Sequence, residues 1–243
     1  MKEQFTFILV HGAWHGGWCW EKVAKILKER QHKVFTPTQT GLGEKAHLMS
    51  KEITLDTFIN DVSQVIIDNE LTNVILVGHS FGGNAISGIA DQMPSRVKKL
   101  IYLDAMLVES GRTPLSTLSA SVIENRIQAA QDFSEGLSLP IPPAHAMGIT
   151  DETQAQWIAK YLTPHPFSTF TSTLNLKNPI GNGKPLVYIV CNDPIYKPLE
   201  KSRELAKSMG WPMTTIATGH DAMVSAPQEL AELLEQQANT GIL

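Results

Sequence analysis

Apolar residues in this chain gather into short unbroken runs separated by longer stretches of mixed polarity. Phe5–Val10, Asn73–Gly78 (NVILVG), Lys99–Asp104 (KLIYLD) and Leu186–Cys191 (LVYIVC) are nearly continuous, as expected of parallel strands covered on both faces. Lys33–Pro37 and Met213–Ala217 read as further, shorter strands. Between them, Trp18–Glu29 sets Trp18, Val23, Ile26 and Leu27 near helical spacing, and Leu55–Glu70 and Asn84–Gln92 read as helices, the second ended near Pro94. Leu199–Met209 and Pro227–Gln237 complete the helical set. Strand and helix therefore alternate, which predicts an α/β fold: a mostly parallel sheet with helices on both faces.

The alternation breaks between about Ala105 and Lys184. Ser121–Ala130 and Thr153–Tyr161 look helical there, but Pro114, Pro140, Pro142, Pro143, Pro164 and Pro166 crowd around them. The expectation is one domain over residues 1–243, with residues 107–182 inserted as a helical cap over the sheet. A chain of 243 residues needs no second core. No internal repeat or low-complexity tract interrupts it.

Composition narrows the function classes. With 42% hydrophobic and 18% charged residues the chain reads as an ordinary globular protein. Its net charge of −4 and lack of a basic cluster point away from nucleic acid and anionic membranes as partners. The apolar start after Met1-Lys2-Glu3-Gln4 is too short for a signal-peptide core or a membrane span. Two cysteines, Cys19 and Cys191, cannot build a disulfide framework, so buried free thiols and a cytoplasmic location are expected.

The strongest chemical signal is Gly78-His79-Ser80-Phe81-Gly82, followed by Gly83. It matches G-x-S-x-G and lies between a predicted strand and a predicted helix, the context that motif requires. A nucleophile on so tight a turn needs neighbours without side chains, and Ser80 is the candidate nucleophile. The N–H of Phe81, at the start of the helix, is one candidate oxyanion donor. A second glycine-rich loop, His11-Gly12-Ala13-Trp14-His15-Gly16-Gly17-Trp18, follows the first strand and offers the amide of Ala13 as the other. Thr218-Gly219-His220-Asp221 follows the last predicted strand, which makes His220 the candidate general base. His11 and His15 are four apart in a glycine loop, a poor context for a metal site, and no metal is predicted.

Together, "FILVHGAWHGGWCW", "VILVGHSFGG", "LVYIVC" and "GHDAMVSAPQEL" resemble the α/β-hydrolase subgroup of plant hydroxynitrile lyases and methyl-ester esterases with their bacterial relatives. The resemblance spans nearly everything outside the cap. It implies a six-stranded sheet, a helical cap over a narrow apolar pocket, and Ser80, His220, Ala13 and Phe81 as nucleophile, base and oxyanion donors. It also separates lyase from esterase. The lyases have threonine where this chain has Gly12, and lysine where it has Asp221. That lysine favours departing cyanide and an aspartate opposes it, so esterase is the expectation.

The acid partner of His220 has two candidates. The subgroup's aspartate falls at the position of Pro194, one place after Asp193. Other hydrolases of this fold take their acid from the end of the strand after the nucleophile helix, which is Asp104 here. Asp104 is preferred because a carboxylate at that buried edge needs a partner. Asp193, before proline, has a turn to explain it. The expected reaction is cofactor-free hydrolysis of a small, largely apolar carboxylic ester through an acyl-enzyme. The alternatives are cyanohydrin cleavage by the same residues, or a slow-turnover ligand receptor. Trp157, Phe133 and Phe167, with Met147 and Phe170, are the candidate pocket lining.

Overall fold

A computed structural model describes residues 3–240. Met1 and Lys2, which open the segment read for a leader, lie outside the described residues. Strands β1 (Thr6–Val10), β2 (Lys33–Phe35), β3 (Val74–His79) and β4 (Val97–Leu103) build half of the molecule. Helices α1 (Glu21–Glu29), α2 (Leu55–Asp68) and α3 (Gly82–Gln92) connect them. After a long insertion, β7 (Leu186–Cys191), α7 (Glu200–Ser208), β8 (Met213–Ile216), α8 (Ala222–Ser225) and α9 (Pro227–Asn239) complete the chain. These six strands form one sheet in the order β2-β1-β3-β4-β7-β8, parallel throughout. This is the parallel α/β sheet expected from the alternation, with the six strands that the resemblance implies.

Two apolar layers sandwich the sheet because successive side chains of each strand point to opposite faces. Ile8, Val10, Leu76 and Tyr102 pack with α2 and α3, whereas Phe7, Leu9, Ile75 and Ile101 pack with α1 and α9. β3 is buried at every position. A strand covered on both faces cannot carry a polar alternation, which is why its sequence reads as a continuous run.

Element boundaries moved by a few residues. The predicted helix from Trp18 begins at Glu21, preceded by a 3-10 turn over Gly17–Trp20. A side chain at Gly17 would run into the carbonyl of Thr36, so tertiary contact shapes that entry.

The insertion between β4 and β7 holds α4 (Ala120–Ser134), β5 (Ser138–Leu139), α5 (Glu152–Ala159), β6 (His165–Pro166) and α6 (Phe167–Thr171). β5 and β6 pair antiparallel as a separate small ribbon. The segment lies against the carboxyl edge of the main sheet at several points. The Phe170 and Phe81 ring centroids are 4.6 Å apart, and a Cβ on Gly148 would come within 2.8 Å of the His220 nitrogen.

Candidate active site

Ser80 sits between β3 and α3 with φ 51°, a left-handed conformation that non-glycine residues adopt only when their surroundings enforce it. Its N–H donates to the carbonyl of Leu103 at 3.1 Å, and its own carbonyl accepts from Gly83 at 3.1 Å and Met106 at 2.8 Å. The flanking glycines are required by close approach. A Cβ on Gly78 would lie 2.9 Å from the Gly82 carbonyl oxygen, and one on Gly82 would lie 2.7 Å from that of His11. The turn after β3 is thereby wedged against the loop after β1, which brings Ala13 and Phe81 to the same edge as Ser80. The first N–H groups of a helix have no intrahelical acceptor, and Phe81 precedes α3 directly.

His220 lies on the loop after β8. Its Nδ1 is 2.7 Å from Asp104 Oδ2 and its Nε2 is 2.9 Å from Ser80 Oγ. A carboxylate only accepts, so Nδ1 carries the proton and the Ser80 hydroxyl donates to Nε2. Asp104 is fully buried at the end of β4 with φ 39°. Its other oxygen faces the Arg203 guanidinium at 3.5 Å, and Arg203 also donates to the Tyr196 carbonyl at 3.0 Å. The Tyr196 ring stacks on His220 with centroids 4.0 Å apart and planes 16° apart. Asp104 is thus the carboxylate on His220. Asp193 is exposed in the turn after β7, where its N–H donates to the Thr218 carbonyl at 3.1 Å.

A second buried acid–base pair lies beneath the first. His15 Nδ1 is 2.8 Å from the Ala13 carbonyl and its Nε2 is 3.1 Å from Asp221 Oδ2. Both partners are acceptors, so both ring nitrogens carry protons and His15 is an imidazolium paired with the Asp221 carboxylate. Burial alone would lower the His15 pKa, but the charge and hydrogen bond of Asp221 raise it. Burial likewise pushes Asp221 upward, and the His15 charge overrides this to hold it at about 2. His79 sits between the two pairs and donates from Nε2 to the His220 carbonyl at 3.0 Å. Burial and the neighbouring His220 keep His79 neutral, well below the ordinary histidine range. His79, His220 and Asp221 place one ligand atom each within 4.8 Å of one another. Both His220 nitrogens are already committed, so a metal ion held by all three residues would have to displace one of those bonds.

Residues 7–233 match the alpha/beta hydrolase family. The chain belongs to that family. Along its length it is similar to the carbendazim hydrolyzing esterase of Nocardioides sp. (strain SG-4G), 38% identical over 94% of this chain and 98% of that one. It is also similar to methylesterase 18 of Arabidopsis thaliana, 27% identical over 98% of each chain. In three dimensions it shares its fold with an extracellular alpha/beta-hydrolase from a Paenibacillus species, with a TM-score of 0.84 at 23% identity over 96% of this chain and 98% of that one.

In this alpha/beta hydrolase the free space at Ser80 is a narrow cleft of about 10 Å³, room for about one water molecule. Its walls include Trp14, Met147 and Tyr196 beside Ser80 and His220. The pocket lining expected from the insertion needs correction. Phe133 turns outward on α4, 52% exposed. Trp157 packs edge-on against Trp18, with centroids 5.4 Å apart, and carries Lys22 over its ring. Phe167 packs on the core layer beside α2 and α3. None of the three lines the cleft, because an aromatic residue in an insertion is equally useful as packing for the insertion itself. Phe170 is core, and only Met147 of that set reaches the cleft.

Sequence reasoning missed Tyr196, Arg203 and the role of His15. Tyr196 and Arg203 lie on and after a proline-rich turn in a polar stretch, with no motif to mark them. The i, i+4 spacing of His11 and His15 carries no sign of their separate roles. In the fold they diverge: His11 accepts from the Gln39 N–H at 3.0 Å, and burial lowers its pKa to about 3.

Proposed function

We propose that this alpha/beta hydrolase is a serine esterase that cleaves small, largely apolar carboxylic esters. The observation that carries the proposal is the unbroken hydrogen-bonded chain Asp104–His220–Ser80, 2.7 and 2.9 Å per link. Ser80 Oγ attacks the ester carbonyl while its proton passes to His220 Nε2. The carbonyl oxygen becomes an oxyanion that accepts from the N–H groups of Ala13 and Phe81, the latter aided by the positive end of α3. The tetrahedral adduct collapses as imidazolium gives its proton to the departing alkoxide. Water, deprotonated by His220, then attacks the acyl-enzyme and regenerates Ser80. Asp104 holds the His220 tautomer and stabilises the imidazolium, and Arg203 fixes the carboxylate's orientation. The chemistry calls for no cofactor.

Residues 107–182 act as the cap in this reading, and they must shift to admit an ester larger than the cleft. The names of the two sequence relatives, an esterase and a methylesterase, support ester over nitrile chemistry. So does Gly12, where any Cβ would lie 2.9 Å from Ser80 Cβ and from His79 Nδ1, leaving no room for the lyases' threonine. Cys19 and Cys191 are buried free thiols, and among the described residues no helix is long and apolar enough to cross a membrane. These features favour a reducing, cytoplasmic setting.

Ser80→Ala tests the proposal. Ester hydrolysis should fall by about a million-fold, as for serine proteases that lose their nucleophile, with the fold unchanged by circular dichroism. A fluorophosphonate should label Ser80 rapidly in the native protein. Near-normal hydrolysis by a folded Ser80→Ala protein would overturn the assignment.

A further inference from the structure

The insertion brings Arg126 to the neighbourhood of the cleft without a counter-ion among the described residues. Arg126, on α4, lies with its guanidinium carbon 4.5 Å from the Phe170 ring centroid and 5.5 Å from that of Trp14. Its Nη1 is buried without a hydrogen-bond partner, and among the described residues no carboxylate forms an ion pair with it. Trp14, which it touches, lines the Ser80 cleft, and the Trp14 indole Nε1 is also buried without a partner. Arg126 Nη1 and Trp14 Nε1 are thus two buried donors on neighbouring side chains, neither with an acceptor among the described residues, an arrangement that is unfavourable until something accepts from them. Burial presses on the guanidinium strongly enough to lower its pKa, and its charge reaches Tyr196, another wall of the cleft.

The faces of Phe170 and Trp14 account for a cation at this position, but they offer nothing to accept the hydrogens of the buried Nη1. A guanidinium and an indole N–H share one complementary ligand class, a group with two acceptor oxygens and a negative charge. Trp14 follows Ala13 directly, so its side chain and the oxyanion donor are held by the same loop. A ligand spanning from Ser80 to Arg126 along Trp14 would place its ester at one end and an acceptor at the other.

We infer that Arg126 and Trp14 form an anion-recognising end of the Ser80 cleft, and that the substrates served best are monoesters of dicarboxylic acids with an apolar linker between ester and carboxylate. This inference rests on the esterase reading for its substrate class, while the anion site stands on its own geometry.

The test compares methyl hydrogen glutarate and methyl hydrogen adipate with methyl pentanoate on wild type, Arg126→Met and Arg126→Lys. Charge-assisted bonds contribute about 1.5–3 kcal/mol, so Arg126→Met should lower kcat/KM for the monoesters about 10- to 100-fold more than for methyl pentanoate. Arg126→Lys should restore part of that difference. The ratio of two substrates on one preparation is independent of the fraction of folded enzyme, so partial misfolding cannot imitate the result. An unchanged ratio in Arg126→Met would overturn the inference. Calorimetry of methyl hydrogen glutarate on Ser80→Ala and on Ser80→Ala/Arg126→Met provides a readout without turnover. Arg126-dependent binding with no Ser80-dependent hydrolysis of any ester would keep the anion site and discard the esterase reading. Hydrolysis without Arg126-dependent binding would do the reverse.

Discussion

Three residues at the site hold left-handed backbone that their side chains disfavour: Trp14 at φ 65°, Ser80 at 51° and Asp104 at 39°. Each costs about 1–3 kcal/mol that surrounding packing must offset, and each presents a group to the cleft or to His220. Asp104→Asn should lower turnover by about 10⁴-fold, since an amide cannot hold the productive His220 tautomer. Asp193→Asn, on an exposed turn, should retain nearly full activity; steady-state kinetics on both variants checks the assignment. The His15–Asp221 pair makes a different prediction. Asp221→Asn leaves a buried imidazolium without its counter-charge, which should destabilise the fold by about 3–5 kcal/mol. Adding His15→Gln should recover part of that loss, because the unpaired charge is then gone. Urea unfolding of both singles and the double measures the coupling, and simple additivity would show that the two residues do not interact.

Among elements, the insertion and the His220 loop meet backbone to backbone. Gly148, at φ +77°, and Gly219 each occupy space in which a Cβ would strike the other's loop. Gly148→Ala combines an unfavourable φ, worth about 1–2 kcal/mol, with a 2.8 Å contact to the His220 nitrogen. It should reduce kcat by more than its loss of stability explains, by pushing His220 off the Asp104–Ser80 line. Thermal melts alongside kinetics separate the two effects. Trp157 is only partly buried, so Trp157→Ala should instead lower stability by less than the roughly 3–5 kcal/mol of a buried tryptophan, at about 2–4 °C in Tm per kcal/mol for a chain of this size, and leave the acyl-chain preference unaltered. A changed preference would mean that Trp157 reaches substrate after all. The strands and helices of the main sheet were legible to within a few residues because their burial is written into consecutive apolar positions. In the insertion the two helices expected over Ser121–Ala130 and Thr153–Tyr161 are present as α4 and α5, but which side chains they bury was not legible, because each buries only part of one face. α4 buries Ala130 alone, and its sequence carries no sign that Phe133 faces out while Arg126 faces in.

At the scale of the whole molecule, pH dependence reports how many histidines are buried neutral. Burial lowers the pKa of His11, His79 and His165 below the usual value of 6.5. For each, the unfolded chain binds a proton that the folded chain refuses. Stability is therefore complete above about pH 6.5 and falls as pH drops below it, by up to about 4 kcal/mol per pH unit for three protons. His15 has the opposite sign: its raised pKa adds stability that is lost as pH rises through it. Asp221, depressed to about 2, contributes stability above about pH 4 that is lost toward pH 2. Tm should thus fall steeply between pH 6.5 and pH 5, before ordinary carboxylates titrate, and a flat Tm across that interval would refute the burial argument. The sequence by itself determined the sheet, the strand-to-helix turn of Ser80, and the loop that bears His220, because these depend on local period and on glycines that sterics demand. Only the tertiary structure decided that Asp104 rather than Asp193 meets His220, that His15 is charged while His11 and His79 are neutral, and that Arg126 lies near the cleft without an ion-pair partner among the described residues. Those outcomes depend on which distant groups share one low-dielectric space, and proximity across more than a hundred residues leaves no mark on local pattern.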